Sequence, residues 1–306
     1  MWIYESLYII NILDLKCNIY DGRVYIMKKV SINQNITIVI KSLIVTIIAI
    51  CVLELMLSLM RNVGLNIPND SLAGNVLLEI TILIVQCLII RKYCKGQFLG
   101  SIGLSYDEDS IKYVSKGVCV GLIGTILIYL TIFLMKIGFY EGTGFKFYES
   151  KVVLSFIISM FIRAFFAGVC EEVFFRGILL NYLAKYKGKT FGLLVSSLIF
   201  TVFHCSRYTD IYQLSSVLLC GISLGYLYII TKSLYMPIGL HFATDFFMNL
   251  VSLKDQPSLL ILDINSRFSV DYLTQTLFIL LGVSYVILIL ILFLIDKISY
   301  KKDNTQ

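Results

Sequence analysis

The sequence predicts an all-α protein, a polytopic transmembrane bundle of about eight helices with both termini in the cytoplasm. Of its residues, 58% are hydrophobic and only 15% are charged, and the mean hydropathy is +0.84. Soluble domains carry about 25% charged residues on average. The hydrophobic residues also form long uncharged runs, and the run at 273–295 can cross a hydrocarbon core of about 30 Å.

The apolar runs predict eight spans joined by short loops. We expect them at about 40–60, 72–90, 117–135, 160–183, 190–206, 211–231, 235–251 and 273–295. The segment 148–160 is expected to be an interfacial lead-in to the fourth span. We divide the chain into an N-terminal extension and cytoplasmic lead (1–39), N-terminal spans (40–147), a helical core (148–252), and a loop, last span and basic tail (253–306).

The first 26 residues are weakly patterned, and Met27, Lys28 and Lys29 open a basic segment before the first long apolar run. This order is similar to the start of a signal peptide. The run at 42–60 is longer than a cleavable core and has no good small-residue cleavage site, so we expect a retained first span. Met27 is an alternative start of the chain.

The basic residues predict the orientation of the bundle, because short cytoplasmic loops carry an excess of Lys and Arg. With the N-terminus inside, 18 Lys and Arg residues fall in inner segments and Arg163 lies within a span. The outer loops hold seven, which are Arg61, Lys136, Lys146, Lys151, Arg207, Lys254 and Arg267.

Neither the net charge nor the cysteines indicate another class of protein. The charge of +6 is spread over short loops without a dense basic patch, so a nucleic-acid partner is not expected. The eight cysteines form no C-x-x-C pair and lie mostly in or beside apolar runs, which argues against a disulfide framework.

Residues 169–177 read VCEEVFFRG and place three charges inside an apolar run. A charge at the centre of a bilayer costs at least about 2.5–3.5 kcal/mol, so these charges need a structural or functional reason. Glu172 and Arg176 are four residues apart on one helical face and can form an ion pair. Glu171 lies about 100° around the helix and remains available for other work.

Two further polar clusters follow, FTVFH at 200–204 and HFATD at 241–245. They contain His204 and His241, the only histidines of the chain, and Asp245 lies one turn beyond His241. Measured from the nearest inner lysine, these groups and Glu171 lie roughly 14–22 Å deep. Three helices therefore bring ionisable groups to a similar depth, as a single intramembrane site requires.

Structural explanations remain open for each group taken alone. The Glu172–Arg176 pair can be purely structural, and an intramembrane histidine often only hydrogen-bonds a backbone carbonyl. Glu54 and Glu79 are single acids in the first two spans, and we interpret them as packing or interfacial residues. A thiol nucleophile at Cys170 or Cys205 is a further alternative, but buried thiols are usually inert.

Two chemistries fit the combined set. A glutamate and a histidine can take the proton of a water that attacks a carbonyl, and a second histidine can stabilise the oxyanion. Alternatively, a divalent metal such as Zn activates the water. The metal ligands would then be Glu171, His204, His241 and Asp245. The sequence has no H-E-x-x-H motif of the common zinc proteases.

The segments EEVFFR, FTVFH and HFATD resemble, in this order, the EExxxR, FxxxH and HxxxN/D motifs of the CAAX protease and bacteriocin-processing (CPBP, or Abi) family. This family includes the type II CAAX prenyl endopeptidases. The stretch 221–241 also resembles the family's approach to the third motif. The similarity covers roughly 150–250, and the N-terminal half matches only as generic spans.

The resemblance implies an intramembrane endopeptidase with a catalytic eight-helix core, either a metalloprotease or an enzyme that works without a metal. It implies that Glu171 and His204 activate the water, that Glu172 and Arg176 support them, and that His241 and residue 245 form the oxyanion site. Asp245 departs from the family, which often has Asn there. An ionised Asp cannot donate to an oxyanion, so Asp245 must be protonated, orient His241 or bind a metal.

The implied partners are the lipid bilayer and a membrane-associated peptide or protein, either CAAX-type or a bacteriocin or other peptide precursor. The Ile-, Asn- and Lys-rich composition favours a bacterial plasma membrane. A non-enzymatic protein that confers bacteriocin self-immunity is the main alternative, and it predicts that the charged motifs can be replaced without loss of function. A proton or ion pathway is the third, and it predicts conductance that depends on Glu171.

Overall fold

Helices make up most of the computed structural model, which describes residues 15–20, 23–28, 32–62, 72–93 and 98–303. The helices are α1 (Ile32–Asn62), α2 (Leu72–Tyr93), α3 (Phe98–Ser101), α4 (Ser110–Leu134), α5 (Ser150–Glu172), α6 (Asn181–Lys187), α7 (Lys189–His204), α8 (Ile211–Thr231), α9 (Tyr235–Asn249) and α10 (Val270–Asp303). A π-helical segment, Val173–Leu180, joins α5 to α6, and a 3₁₀ turn spans Gly144–Lys146. Residues 1–14 of the predicted N-terminal extension and 304–306 of the basic tail lie outside the described residues.

Each of the eight predicted spans overlaps a helix, and the span at 160–183 covers the end of α5, the π-helical segment and the start of α6. Among the described residues, six helical stretches are long and apolar enough to cross a membrane, and they are Asn33–Met60, Leu72–Tyr93, Ser110–Leu134, Ser150–Lys187, Ile211–Thr231 and Val270–Ile295. The helices α7 and α9 are shorter, with 16 and 15 residues. The chain is therefore a multi-pass membrane protein, whereas eight crossings and cytoplasmic termini remain predictions.

The outward faces of the long helices are apolar, as contact with lipid requires. Large exposed hydrophobic side chains occur on every long helix, for example Ile44, Leu88, Ile126, Ile158, Ile211 and Leu290. The segment 148–160 leads into α5, which begins at Ser150, and its interfacial position stays a prediction. No glycine or proline occurs between Ser150 and Gly168, so the sequence does not favour a break in the helix there.

Five strands in the described part of the chain depart from the all-α prediction. β1 (Leu15–Tyr20) and β2 (Arg23–Lys28) form an antiparallel hairpin. β3 (Gly138–Thr143), β4 (Val251–Ser252) and β5 (Leu260–Ile264) form a sheet in the order β3-β5-β4, in which β3 runs antiparallel and β4 parallel to β5. The loop after α4 and the loop after α9 meet at the same end of the bundle, where pairing satisfies their backbone groups.

The π-helical segment lies at the centre of the largest apolar cluster. All eight of its side chains are buried, including the charged Arg176. The cluster also contains Ile90 of α2, Phe200 of α7 and Leu234 before α9. The sequence pattern predicted an ordinary α-helix here, and the structure replaces it with the wider π form, which often occurs at functional sites.

Glycines bring α4 and α9 into direct backbone contact. A Cβ atom on Gly117 would lie 2.3 Å from the carbonyl oxygen of Met236, and one on Gly239 would lie 2.3 Å from that of Val114. Small residues let membrane helices approach this closely, and van der Waals packing then holds them. The contact fixes the position of α9, the helix that carries the third polar motif.

Replacing Gly239 with Ala should therefore destabilise the protein. Alanine favours a helix by up to about 1 kcal/mol over glycine, but the clash with the Val114 carbonyl costs about 1–3 kcal/mol or more because backbone must move. Gly124→Ala on α4 is the matched control, since no atom lies within 4 Å of a Cβ there. Thermal unfolding in detergent should show a lower Tm for Gly239→Ala only; equal Tm values would contradict the packing argument.

Candidate active site

Three helices bring the sequence-predicted polar groups together. Glu171 at the end of α5, His204 at the end of α7, and His241 and Asp245 on α9 all line one cavity of about 180 Å³. Glu172 and Arg176 are fully buried and do not line it. The structure thus separates the six residues into four that face the cavity and two that lie behind it.

The two buried residues form the predicted ion pair. Arg176 Nη1 donates to Glu172 Oε1 at 2.7 Å, and its Nη2 donates to the carbonyl oxygen of Gly221 on α8 at 3.3 Å. The guanidinium carbon lies 4.5 Å from the ring centroid of Phe200. Arg176 therefore neutralises Glu172, contacts α8 and packs on the aromatic ring of the second motif.

Glu172 also holds a histidine in place. Its Oε1 atom lies 2.8 Å from Nδ1 of His241. A carboxylate paired with an arginine acts as an acceptor, so Nδ1 of His241 carries the hydrogen. The opposite atom, Nε2, then faces the cavity, 3.9 Å from Glu171 Oε2 and 3.6 Å from Asp245 Oδ2.

His204 is fixed in a similar way by a backbone group. Its Nδ1 atom donates to the carbonyl oxygen of Phe200 at 2.8 Å, because a carbonyl can only accept. In the neutral imidazole, Nε2 is then an unprotonated acceptor, and it lies 3.8 Å from Glu171 Oε2. The ring stacks nearly parallel to Tyr208, at 4° and 6.2 Å between centroids. The F-x-x-x-H spacing thus orients the imidazole.

Glu171 Oε2 is the atom on which the site converges. It is buried and has no hydrogen-bond partner among the residues that the structure describes. The two histidine Nε2 atoms at 3.8 and 3.9 Å are too distant for direct hydrogen bonds. These separations suit a water molecule that bridges the carboxylate and an imidazole.

The same groups do not form a metal site as they are arranged. A zinc ion needs nitrogen and oxygen ligands at about 2.0–2.2 Å from one point. Within the described part of the chain, no group of three or more His, Cys, Asp or Glu side chains is arranged to hold a metal ion. The predicted zinc ligands Glu171, His204, His241 and Asp245 are neighbours, but their binding of a metal stays a prediction.

Two residues of α2 join the cavity that sequence reasoning did not place there. Glu79, interpreted as a packing or interfacial residue, lines the cavity together with Asn75, one turn away on the same face. Glu54 on α1, by contrast, is exposed and lies outside it. A signal was present in the sequence, since Glu79 lies 12 residues from Arg91, at a depth similar to that of Glu171.

The structure argues against two other nucleophiles. Cys170 is buried, Cys205 is exposed, and neither lines the cavity. Residues 221–225, GISLG, fit the G-x-S-x-G pattern of serine hydrolases, but that motif needs a sharp turn between a strand and a helix. Ser223 instead lies inside α8, fully buried, and donates to the carbonyl oxygen of Tyr285.

Removing Arg176 should cost far more stability than removing an exposed charge. Arg176→Met leaves Glu172 as a buried carboxylate without its main counter-charge, which costs about 3–5 kcal/mol. Lys112→Met breaks an exposed ion pair, since the side chains of Lys112 and Asp109 are 65% and 62% exposed. This change should lower the free energy of unfolding by less than about 1 kcal/mol.

Thermal unfolding in detergent checks this prediction. The double variant Glu172→Gln/Arg176→Met should recover part of the loss, because it removes the unpaired charge. If Arg176→Met lost no more stability than Lys112→Met, the prediction would fail, because Glu172 and Arg176 would not behave as a buried ion pair.

Comparison with known proteins identifies the segment that carries the site. Residues 153–247 match the family described as Type II CAAX prenyl endopeptidase Rce1-like. Neither a curated protein nor a solved structure matches the chain. The matched segment runs from α5 to α9 and contains all three motifs. The resemblance to the CPBP family and its type II CAAX prenyl endopeptidases is thereby confirmed for this segment.

Proposed function

We propose that this protein is an intramembrane endopeptidase that hydrolyses a peptide bond with a water activated by Glu171 and His204. The observation that carries the proposal is the position of Glu171 Oε2, which is buried, without a described hydrogen-bond partner, and within 4 Å of two imidazole Nε2 atoms. The matched family is one of proteases, which supports the reaction class.

The reaction begins with a water between Glu171 and His204. Glu171 takes a proton from the water while the water oxygen bonds to the carbonyl carbon of the peptide. His204 accepts the second hydrogen of the water through Nε2 and so orients the attack. The electron pair of the carbonyl double bond moves to oxygen, which gives a tetrahedral oxyanion.

Collapse of this intermediate completes the hydrolysis. The oxyanion re-forms the carbonyl as the carbon–nitrogen bond breaks, and Glu171 returns its proton to the leaving nitrogen. One water and one peptide bond give a carboxylic acid and an amine. Glu171 is ionised again and ready for another water.

His241 stabilises the oxyanion in this proposal. As an imidazolium it donates its Nδ1 hydrogen to Glu172 and its Nε2 hydrogen to the oxyanion, in a site largely removed from bulk water. Glu172 and Arg176 are positioning residues, because they touch His241 and each other rather than the substrate. Asp245, whose Oδ2 lies 3.6 Å from Nε2 of His241, supports the imidazolium by its charge and so helps to orient that ring.

Each step uses side chains of this chain, and none requires a metal. The zinc prediction is tested separately by elemental analysis of the protein purified without chelators. The substrate in this proposal is a membrane-associated peptide or protein, CAAX-type or a peptide precursor, in a bacterial plasma membrane.

Glu171→Gln should abolish cleavage without loss of the protein. An amide cannot take the proton of the water, and loss of a general base lowers the rate by about 10²–10⁴. The matched control is Glu54→Gln, an exposed glutamate on α1 that does not line the cavity. N-terminal peptide profiling of the native host, at matched membrane abundance, should show cleaved termini that disappear only in Glu171→Gln.

Unchanged peptide profiles in Glu171→Gln would contradict the enzymatic proposal. If the biological phenotype were also intact, a membrane immunity protein would explain the chain better. Conductance that depends on Glu171, with no lost peptide termini, would instead indicate an ion pathway.

Asp245→Asn separates two roles of Asp245. The Asn amide can donate to the oxyanion, so this variant should be at least as active as the wild type. Asp245→Ala removes the partner of His241 and should lower kcat by up to about 10²–10³, the cost of a lost oxyanion-site group. An Asn variant as inactive as the Ala variant would show that the carboxylate itself is needed, as a metal ligand is.

A further inference from the structure

The cavity lies near one end of the helical bundle, which we call the sheet end because β3, β4 and β5 lie there. On α2 the lining residues Asn75 and Glu79 fall in the first two turns, and on α8 Ser216 is in the second turn. His204 and Asn249 are the last residues of α7 and α9. The end of α7, the start of α8 and the end of α9 each adjoin a described loop at the sheet end.

The other end of the bundle is filled with packed apolar side chains. Phe174, Ile178 and Leu179 of the π-helical segment follow directly after Glu171 and Glu172, and all are at most 2% exposed. They pack in one cluster with Ile90 and Leu234, both 0% exposed. A peptide cannot pass through this cluster, because close-packed interiors leave no gap larger than a water molecule.

The packed end is also the basic end. Its helix termini and loops carry positive charges at Arg91, Lys92, Lys112, Lys116, Lys185, Lys187, Lys189, Lys232 and Lys297. The positive-inside rule assigns this end to the cytoplasm. Arg207 and Asn249 at the sheet end, together with Arg163 inside α5, also line the cavity, and these polar groups suit a hydrated peptide backbone.

We propose that substrates reach the cavity from the sheet end, so that the substrate class is peptides and protein segments exposed on the extracytoplasmic side of the membrane. This inference rests on the proposed function for its substrate, but the access route stands on geometry and charge alone. This access route favours exported peptides and the outer loops of membrane proteins as substrates. Prenylated proteins of the cytoplasm would approach the packed end of the bundle, from which the cavity cannot be reached.

Cysteine labelling tests the route without any activity measurement. Asn249→Cys places a thiol on an exposed cavity-lining position, and Lys187→Cys places one on the exposed basic end. Each is made in a chain whose native cysteines are replaced. If that chain does not accumulate, the native cysteines are kept and the added label is measured by intact mass against the wild type. The probe is 2-sulfonatoethyl methanethiosulfonate, which does not cross membranes.

In spheroplasts, the thiol at 249 should react and the thiol at 187 should not, whereas in inverted vesicles the reactivities should be exchanged. Reaction of the thiol at 249 only in inverted vesicles would overturn the proposal. The proposal would also be overturned if the thiol at 249 reacted from neither face. The same holds if it reacted from both faces while the thiol at 187 reacted from only one. In either case the cavity would lack a one-sided aqueous route.

Peptide profiling separates failure of this inference from failure of the proposed function. The cleavage sites that Glu171→Gln loses should map to extracytoplasmic segments. If they map to the cytoplasm, the access route is wrong and the enzyme remains. If none is lost, the enzymatic proposal fails, while the labelling result still decides which face the cavity opens to.

Discussion

The buried contact between Glu172 and Arg176 is the interaction on which the rest of the site depends. Its two side chains connect five parts of the chain. Glu172 is the last residue of α5 and binds His241 of α9, while Arg176 in the π-helical segment reaches Gly221 of α8 and packs on the Phe200 ring of α7. A carboxylate and a guanidinium in an apolar interior are stable only when each satisfies the other. The pair therefore fixes where these helices meet.

This arrangement divides two adjacent glutamates into different roles. Glu172 binds an arginine and an imidazole through Oε1, so it acts as a support. Glu171, one residue earlier, points to another side of the helix and lines the cavity with Oε2 unpartnered among the described residues. Adjacent positions on a helix differ by about 100°, which explains how one motif can supply both a support and a reacting group.

The sequence was sufficient to predict the parts of the site that depend on periodicity. The positions of Glu171, His204, His241 and Asp245 at one depth followed from spacing and span boundaries, and the structure places them around one cavity. Glu79 was misinterpreted, because a single acid without a paired motif gives no indication of the face it occupies. The short strands β3, β4 and β5 were also missed. The pairing of β3 with β5 joins loops more than 100 residues apart, which no local pattern reveals.

The π-helical segment could not be predicted from the sequence either, because its composition is that of any apolar helix. Its consequence concerns insertions and deletions rather than substitutions. An α-helix closes its hydrogen bonds over four residues and the π form closes them over five, so Val173–Leu180 contains chain that an α-helix would not accommodate in the same length. Deleting one residue there would restore α-helical bonding but turn side chains within the segment by up to about 100° relative to α5. The number of residues in this segment is thus part of the geometry of the site, and relatives with the same motifs should tolerate changes of side chain there more readily than changes of length.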